Sequence, residues 1–148
     1  MGHLEKSKED FIVMAEAGFI AINQGDEDAA LKLFRAAQLI NPANSLPKIG
    51  LGYLHFLKLE LNQARKIFEE VLQKEPNNDM AKALLGLSTA LSPNDAVKGE
   101  KILEDASSKT NDPAVKSMTK TAIDFIEKFV KKKPAPISAG SSKEPKKK

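Results

Sequence analysis

Three glycines, Gly18, Gly52 and Gly86, stand 34 residues apart, and the same step carries Ala30 to Ala64, Phe34 to Phe68 and Pro42 to Pro76. Four residue types recurring in register mark a repeated supersecondary unit. Such a unit cannot bury its apolar face alone and does so by stacking on the next copy.

Between these marks the apolar residues fall at three- and four-residue intervals, as in Phe11, Met14, Ala15, Gly18, Phe19 and Ile22, the spacing of a helix with one buried face. The first unit therefore reads as a helix over Glu9 to Asn23, a turn at Gln24-Gly25-Asp26-Glu27-Asp28, and a helix over Ala29 to Ile40 stopped by Asn41-Pro42. The second unit repeats the plan with Leu46 to Leu59, a turn near Glu60 to Asn62, and Gln63 to Lys74. Pro47 falls in a first helical turn, where its missing amide hydrogen costs little.

The third unit carries Gly86 in Met80 to Leu91, but its turn at Ser92-Pro93-Asn94-Asp95 is one residue longer. With that shift Gly99, Leu103 and Ala106 match the small-large-small spacing of Ala30, Phe34 and Ala37. An amphipathic segment from Ala114 to Lys132 then reads as a helix capping the last exposed face, with Val115, Met118, Ala122, Phe125, Ile126 and Phe129 on one side. Pro134 to Lys148 holds too little apolar surface to order and reads as a disordered tail. The expected organisation is a flexible N-terminus (residues 1–8), repeats at about 9–42, 43–76 and 77–111, a capping helix at 112–133, and the tail at 134–148.

Composition narrows the chemistry. The chain has no cysteine, which excludes disulfides, thiolate nucleophiles and cysteine-ligated metals. The segment Lys131 to Lys148 contributes seven lysines and one glutamate, +6 of a total of +3, so residues 1–130 carry −3. A mildly acidic body with a basic tail does not suit nucleic acid, whose binding domains gather basic residues on a folded face. No run approaches the ~18 apolar residues of a membrane span, and the N-terminus lacks a secretory apolar core, so a soluble protein without stable membrane insertion is expected.

The residues at these positions resemble the tetratricopeptide repeat (TPR) family, whose unit has a small residue in its first helix, then small, large and small residues in its second, and a closing proline. Gly18, Ala30, Phe34, Ala37 and Pro42 hold those positions in the first unit, and Gly52, Ala64, Phe68, Val71 and Pro76 in the second. The resemblance covers about Glu9 to Lys109. It implies an all-α, right-handed solenoid of about three hairpins plus a capping helix. The sequence departs from the family pattern at Met14, Lys48 and Lys82, where a bulky aromatic is usual, and at Ala21, His55 and Thr89, where tyrosine is.

In that family the first helix of each unit lines a concave surface. The matching positions here are Ile12, Ala15, Phe19 and Ile22; then Leu46, Ile49, Tyr53 and Phe56; then Met80, Ala83, Leu87 and Ala90. The lining is apolar where relatives that clamp acidic chaperone tails carry polar groups, which implies an amphipathic helix or apolar extended segment as guest. In size, repeat number and apolar lining the chain is similar to the small TPR chaperones of bacterial type III secretion systems. That similarity implies a cytoplasmic bacterial protein holding a needle or translocator subunit, with a second small chaperone as a further partner. A structural adaptor that self-associates, as a homodimer or with another protein, is the alternative.

Each lining residue has a plainer reading as core. His55 reads as a packing residue in the tyrosine position rather than a base. Gly50-Leu51-Gly52 lies inside a helix and lacks the strand-to-helix context of a phosphate loop. Glu69-Glu70 and Glu104-Asp105, with lysines as neighbours, read as solvated faces rather than a metal site. The lysines of the tail read as solubilising. No enzyme motif, cofactor or metal site is expected.

Overall fold

The computed structural model describes residues 2–131, and the tail read at 134–148 lies outside the described residues. Those residues form seven α-helices: α1 (Gly2–Asn23), α2 (Glu27–Ile40), α3 (Leu46–Leu57), α4 (Leu61–Lys74), α5 (Asp79–Ala90), α6 (Ala96–Lys109) and α7 (Pro113–Phe125). A single π turn, Ile126–Val130, continues α7. Each helix packs on the next, and α1 also meets α3, α3 meets α5, and α5 meets α7. This is an all-α helical-repeat array of three hairpins, α1–α2, α3–α4 and α5–α6, with α7 placed as the first helix of a unit that has no second.

Local chemistry sets the breaks. Side-chain oxygens of Asp26, Asn78 and Asp112 accept hydrogen bonds from the amides of Ala29, Ala81 and Ala114 at 3.0, 2.9 and 2.9 Å, capping α2, α5 and α7. Asn44 does the same for the Leu46 amide at 2.9 Å, with Pro47 in the first turn of α3. Inside each hairpin one residue turns into the left-handed region: Gly25 (φ 73°), Leu59 (φ 59°) and Asn94 (φ 66°). Gly25 and Leu59 lie 34 residues apart; Asn94 comes 35 after Leu59, which is the extra residue expected of the third turn.

The glycine register is a packing device. A Cβ on Gly18 would lie 2.6 Å from the Phe34 ring, one on Gly52 2.6 Å from the Phe68 ring, and one on Gly86 2.8 Å from Leu103. Phe34, Phe68 and Leu103 are fully buried. Each hairpin closes by seating one large side chain against bare backbone, which places dispersion contacts where a methyl would force the helices apart.

Besides shifts of one or two residues at the ends of α2 and α5, three boundaries differ from the sequence expectation. Residues 1–8 were expected to be flexible, yet α1 begins at Gly2. Glu5, Lys6, Lys8 and Glu9 favour helix and no proline interrupts them, so the helix runs past the body with residues 2–10 all exposed. In the second hairpin the turn falls at Lys58 to Glu60, earlier than the expected Glu60 to Asn62, because Leu59 takes the position of Gly25. The capping helix starts at Pro113 and changes to a π turn at Ile126.

Candidate peptide-binding surface

The first helices α1, α3 and α5 lie side by side, so positions 34 residues apart form ladders across the array. Ile12, Leu46 and Met80 make one ladder, and all three are exposed. Phe19, Tyr53 and Leu87 make a second, half-buried, and Phe56 is half-buried one turn beyond Tyr53. Seven apolar side chains of the expected lining thus retain contact with solvent.

Five residues of the expected lining are core instead. Ala15 packs with Phe11 and Ala37; Ile22 with Phe34 and Leu54; Ile49 with Phe68 and Val71; and Ala83 with Ala106 and Val115. Ala90 is likewise buried, against Leu103 and Ala122. The reason is geometric. These positions turn toward the second helix of the same unit and toward the next hairpin, so burial between units consumes them before a guest could reach them.

Aromatic rings pack against one another behind and along the remaining surface. Phe19 meets Phe34 edge to face, ring centroids 5.0 Å apart, and Tyr53 stacks on Phe56 at 6.3 Å with planes 15° apart. Sequence reading missed a third ladder. Leu57 is exposed, Leu91 half-buried and Phe125 exposed, again at the 34-residue step, and Phe125 packs on the exposed Phe129 at 5.1 Å. The signal was available in the cap residues Asn78 and Asp112, whose own 34-residue spacing carries the register into α7.

Charges lie at the margins of this surface. Lys48 of α3 pairs with Glu70 of α4 at 2.7 Å, and Lys82 of α5 pairs with Asp105 of α6. The lysines that replace the family aromatic therefore tie the first helix to the second, with Glu70 and Asp105 as their partly solvent-exposed partners. His55 hydrogen-bonds through Nδ1 to Glu60 at 2.6 Å, and Lys58 bridges Glu60 at 3.0 Å and Glu27 of α2 at 2.7 Å. The bonds from His55 and then Lys58 hold the Glu60 carboxyl below the usual carboxylate range. This cluster fastens the second turn to the first hairpin.

Clefts occur elsewhere. One of about 570 Å³ lies between the α2–α3 loop and α4, lined by Pro42, Asn44, Lys48, Glu70 and Lys74 among others. Another, of about 410 Å³, lies where the overhanging start of α1 passes the end of α2, and Leu4, Phe11, Ile12 and Ile40 line it. Only Ile12 of the expected lining opens into either. Among the described residues no group of three or more His, Asp and Glu is placed to hold a metal ion, and no helix is long and apolar enough to cross a membrane.

No curated protein matches the chain. The family model described as tetratricopeptide repeat matches residues 21–87, from the end of α1 into α5. That match supports the tetratricopeptide-repeat family, over a segment that holds Phe34, Phe68, Gly52 and Gly86 of the 34-residue register.

Proposed function

We propose that this chain is a protein-binding chaperone that holds an apolar or amphipathic segment of another polypeptide across the first helices of its hairpins, and that it performs no catalysis. The observation that carries this reading is the pair of solvent-reaching apolar ladders, Ile12–Leu46–Met80 and Phe19–Tyr53–Leu87. Aligned apolar side chains on rigid helices give a guest helix or strand a series of evenly spaced contacts, with little ordering cost on the host side. Protein binding is also the role that tetratricopeptide repeats suggest.

The guest class we favour is a subunit of a bacterial type III secretion system, the needle or a translocator, held in the cytoplasm before export. Three hairpins, a closing helix and an apolar rather than cationic surface support this. Co-expression with a needle subunit and, separately, with a translocator subunit tests it by size-exclusion chromatography. A stable complex with one of them is the expected result, and it should be lost in Tyr53→Asp with the circular dichroism spectrum unchanged. If neither subunit is retained, the secretion assignment falls; if Tyr53→Asp leaves an observed complex intact, the surface assignment falls. Self-association as an adaptor is the second reading, favoured by the exposed Phe125–Phe129 pair at the end of the array.

A further inference from the structure

The 34-residue register allows each first helix to be compared with the others at the positions that pack against the preceding hairpin. Val13 corresponds to Pro47, Ala81 and Val115, and Ile20 corresponds to Leu54, Ser88 and Ala122. In α3, α5 and α7 these positions are closed: Leu54 is 7% exposed, Ala81 and Ser88 0%, Val115 1% and Ala122 8%. In α1, Val13 is 60% exposed and Ile20 55%. The first helix thus leaves open, with aliphatic side chains, the positions that α3, α5 and α7 use to stack on the preceding hairpin, and nothing among the described residues covers them.

One position on that face is not like its counterparts. Glu16 stands where the array has Gly50, Leu84 and Met118. Gly50 and Leu84 are buried and Met118 is half-buried, whereas Glu16 is exposed. By the helical period Glu9 lies on the same face as Val13, Glu16 and Ile20, with Lys6 a turn further out. Neither Glu9 nor Glu16 enters an ion pair among the described residues. A second copy of α1 laid antiparallel on this face would bring Glu16 against its own equivalent near the centre, a like-charge contact that disfavours self-pairing.

We infer that the outer face of α1 is a second protein-docking surface, distinct from the one lined by Tyr53 and Leu87, and that its occupant is an amphipathic helix of another polypeptide. That helix presents small or aliphatic residues at three- and four-residue spacing to Val13, Ala17 and Ile20, and lysine or arginine to Glu16 and Glu9. The apolar contacts repeat the geometry with which each later hairpin receives its predecessor, and the carboxylates set the sign of the partner.

The test uses the full chain and two synthetic amphipathic helical peptides that share one leucine and alanine face, one flanked by lysines and the other by glutamates. Binding is measured by titration and mapped by amide chemical shifts. The lysine peptide should bind more tightly, with shifts centred on α1 between Glu9 and Gln24. Val13→Ser with Ile20→Ser should weaken it by roughly tenfold or more. Glu16→Lys should reverse the preference between the peptides at α1, and Tyr53→Asp should leave the shifts on α1 unchanged. Because Val13, Glu16 and Ile20 are exposed, these variants keep the fold. The inference is overturned if neither peptide binds, if shifts fall only on α3 and α5 and none on α1, if Glu16→Lys leaves the preference at α1 intact, or if the free chain sediments as a dimer that Ile20→Ser dissociates.

Discussion

The ring of Phe34 occupies the space that a Cβ on Gly50 would need, so the second helix of the first hairpin touches the first helix of the second across bare backbone. The same ring faces Gly18 within its own hairpin. One side chain therefore closes a unit and joins it to the next. Gly50→Ala gains about 1 kcal/mol of helix propensity but overfills the joint, which costs about 1–3 kcal/mol. The expected net result in urea unfolding is a destabilisation of roughly 0–2 kcal/mol, and a double-mutant cycle with Phe34→Leu should show coupling of the same order.

Phe34→Ala and Phe68→Ala empty fully buried positions that anchor the first and second hairpins. Each should cost about 3–5 kcal/mol, read as a shift of the unfolding midpoint at constant slope. A substitution at Leu39, exposed on α2, should leave the midpoint within about 0.5 kcal/mol and serves as the comparison.

Leu59 holds a left-handed conformation, φ 59°, at the turn where the first hairpin uses Gly25. A leucine pays about 1–2 kcal/mol there, partly offset in a glycine variant by the greater freedom of the unfolded chain. Leu59→Gly should therefore stabilise the array by roughly 0.5–1 kcal/mol, and Gly25→Ala should destabilise it by about 1 kcal/mol. Thermal melts of the two variants against the wild type read both signs.

Stability should fall in acid through a small set of carboxylates. Glu60 is held low by His55 and then Lys58, Glu70 by Lys48, and Glu127 by Lys131. For a carboxyl whose folded pKa is depressed, the contribution is present above the unfolded value of about 4.3 and is lost as pH falls through the folded value. Melting temperature should be flat above about pH 5 as far as these groups are concerned and decline below it, and Glu60→Gln should make that decline shallower. An unaltered slope in Glu60→Gln would show that the His55–Glu60–Lys58 cluster is not coupled to folding.

Most of the architecture was legible in the sequence because the residues that close the hairpins are the ones with distinctive chemistry. Gly18 and Phe34, Gly52 and Phe68, and the longer turn before Asp95 all mark the period directly. The turn at Leu59 was not legible, since leucine carries no turn signal and only its 34-residue relation to Gly25 betrays it. The candidate surface was half legible. An apolar first helix faces both neighbours and solvent, and sequence alone does not divide Ala15, Ile22, Ile49 and Ala83, which are buried, from Ile12, Leu46 and Met80, which are exposed. Lys48 and Lys82 read in sequence only as departures from the family aromatic, and their partners Glu70 and Asp105 become visible once α4 and α6 bring them beside α3 and α5.

Photo-crosslinking in the native cell addresses the central claim most directly, because it needs no prior identity for the guest. A benzoylphenylalanine is placed at Tyr53, at Leu57 or at Leu39, the last an exposed apolar position on a second helix. The expected result is a discrete adduct with one polypeptide from positions 53 and 57 and none from 39. Adducts from 39 with none from 53 or 57 would contradict a guest held across the first helices.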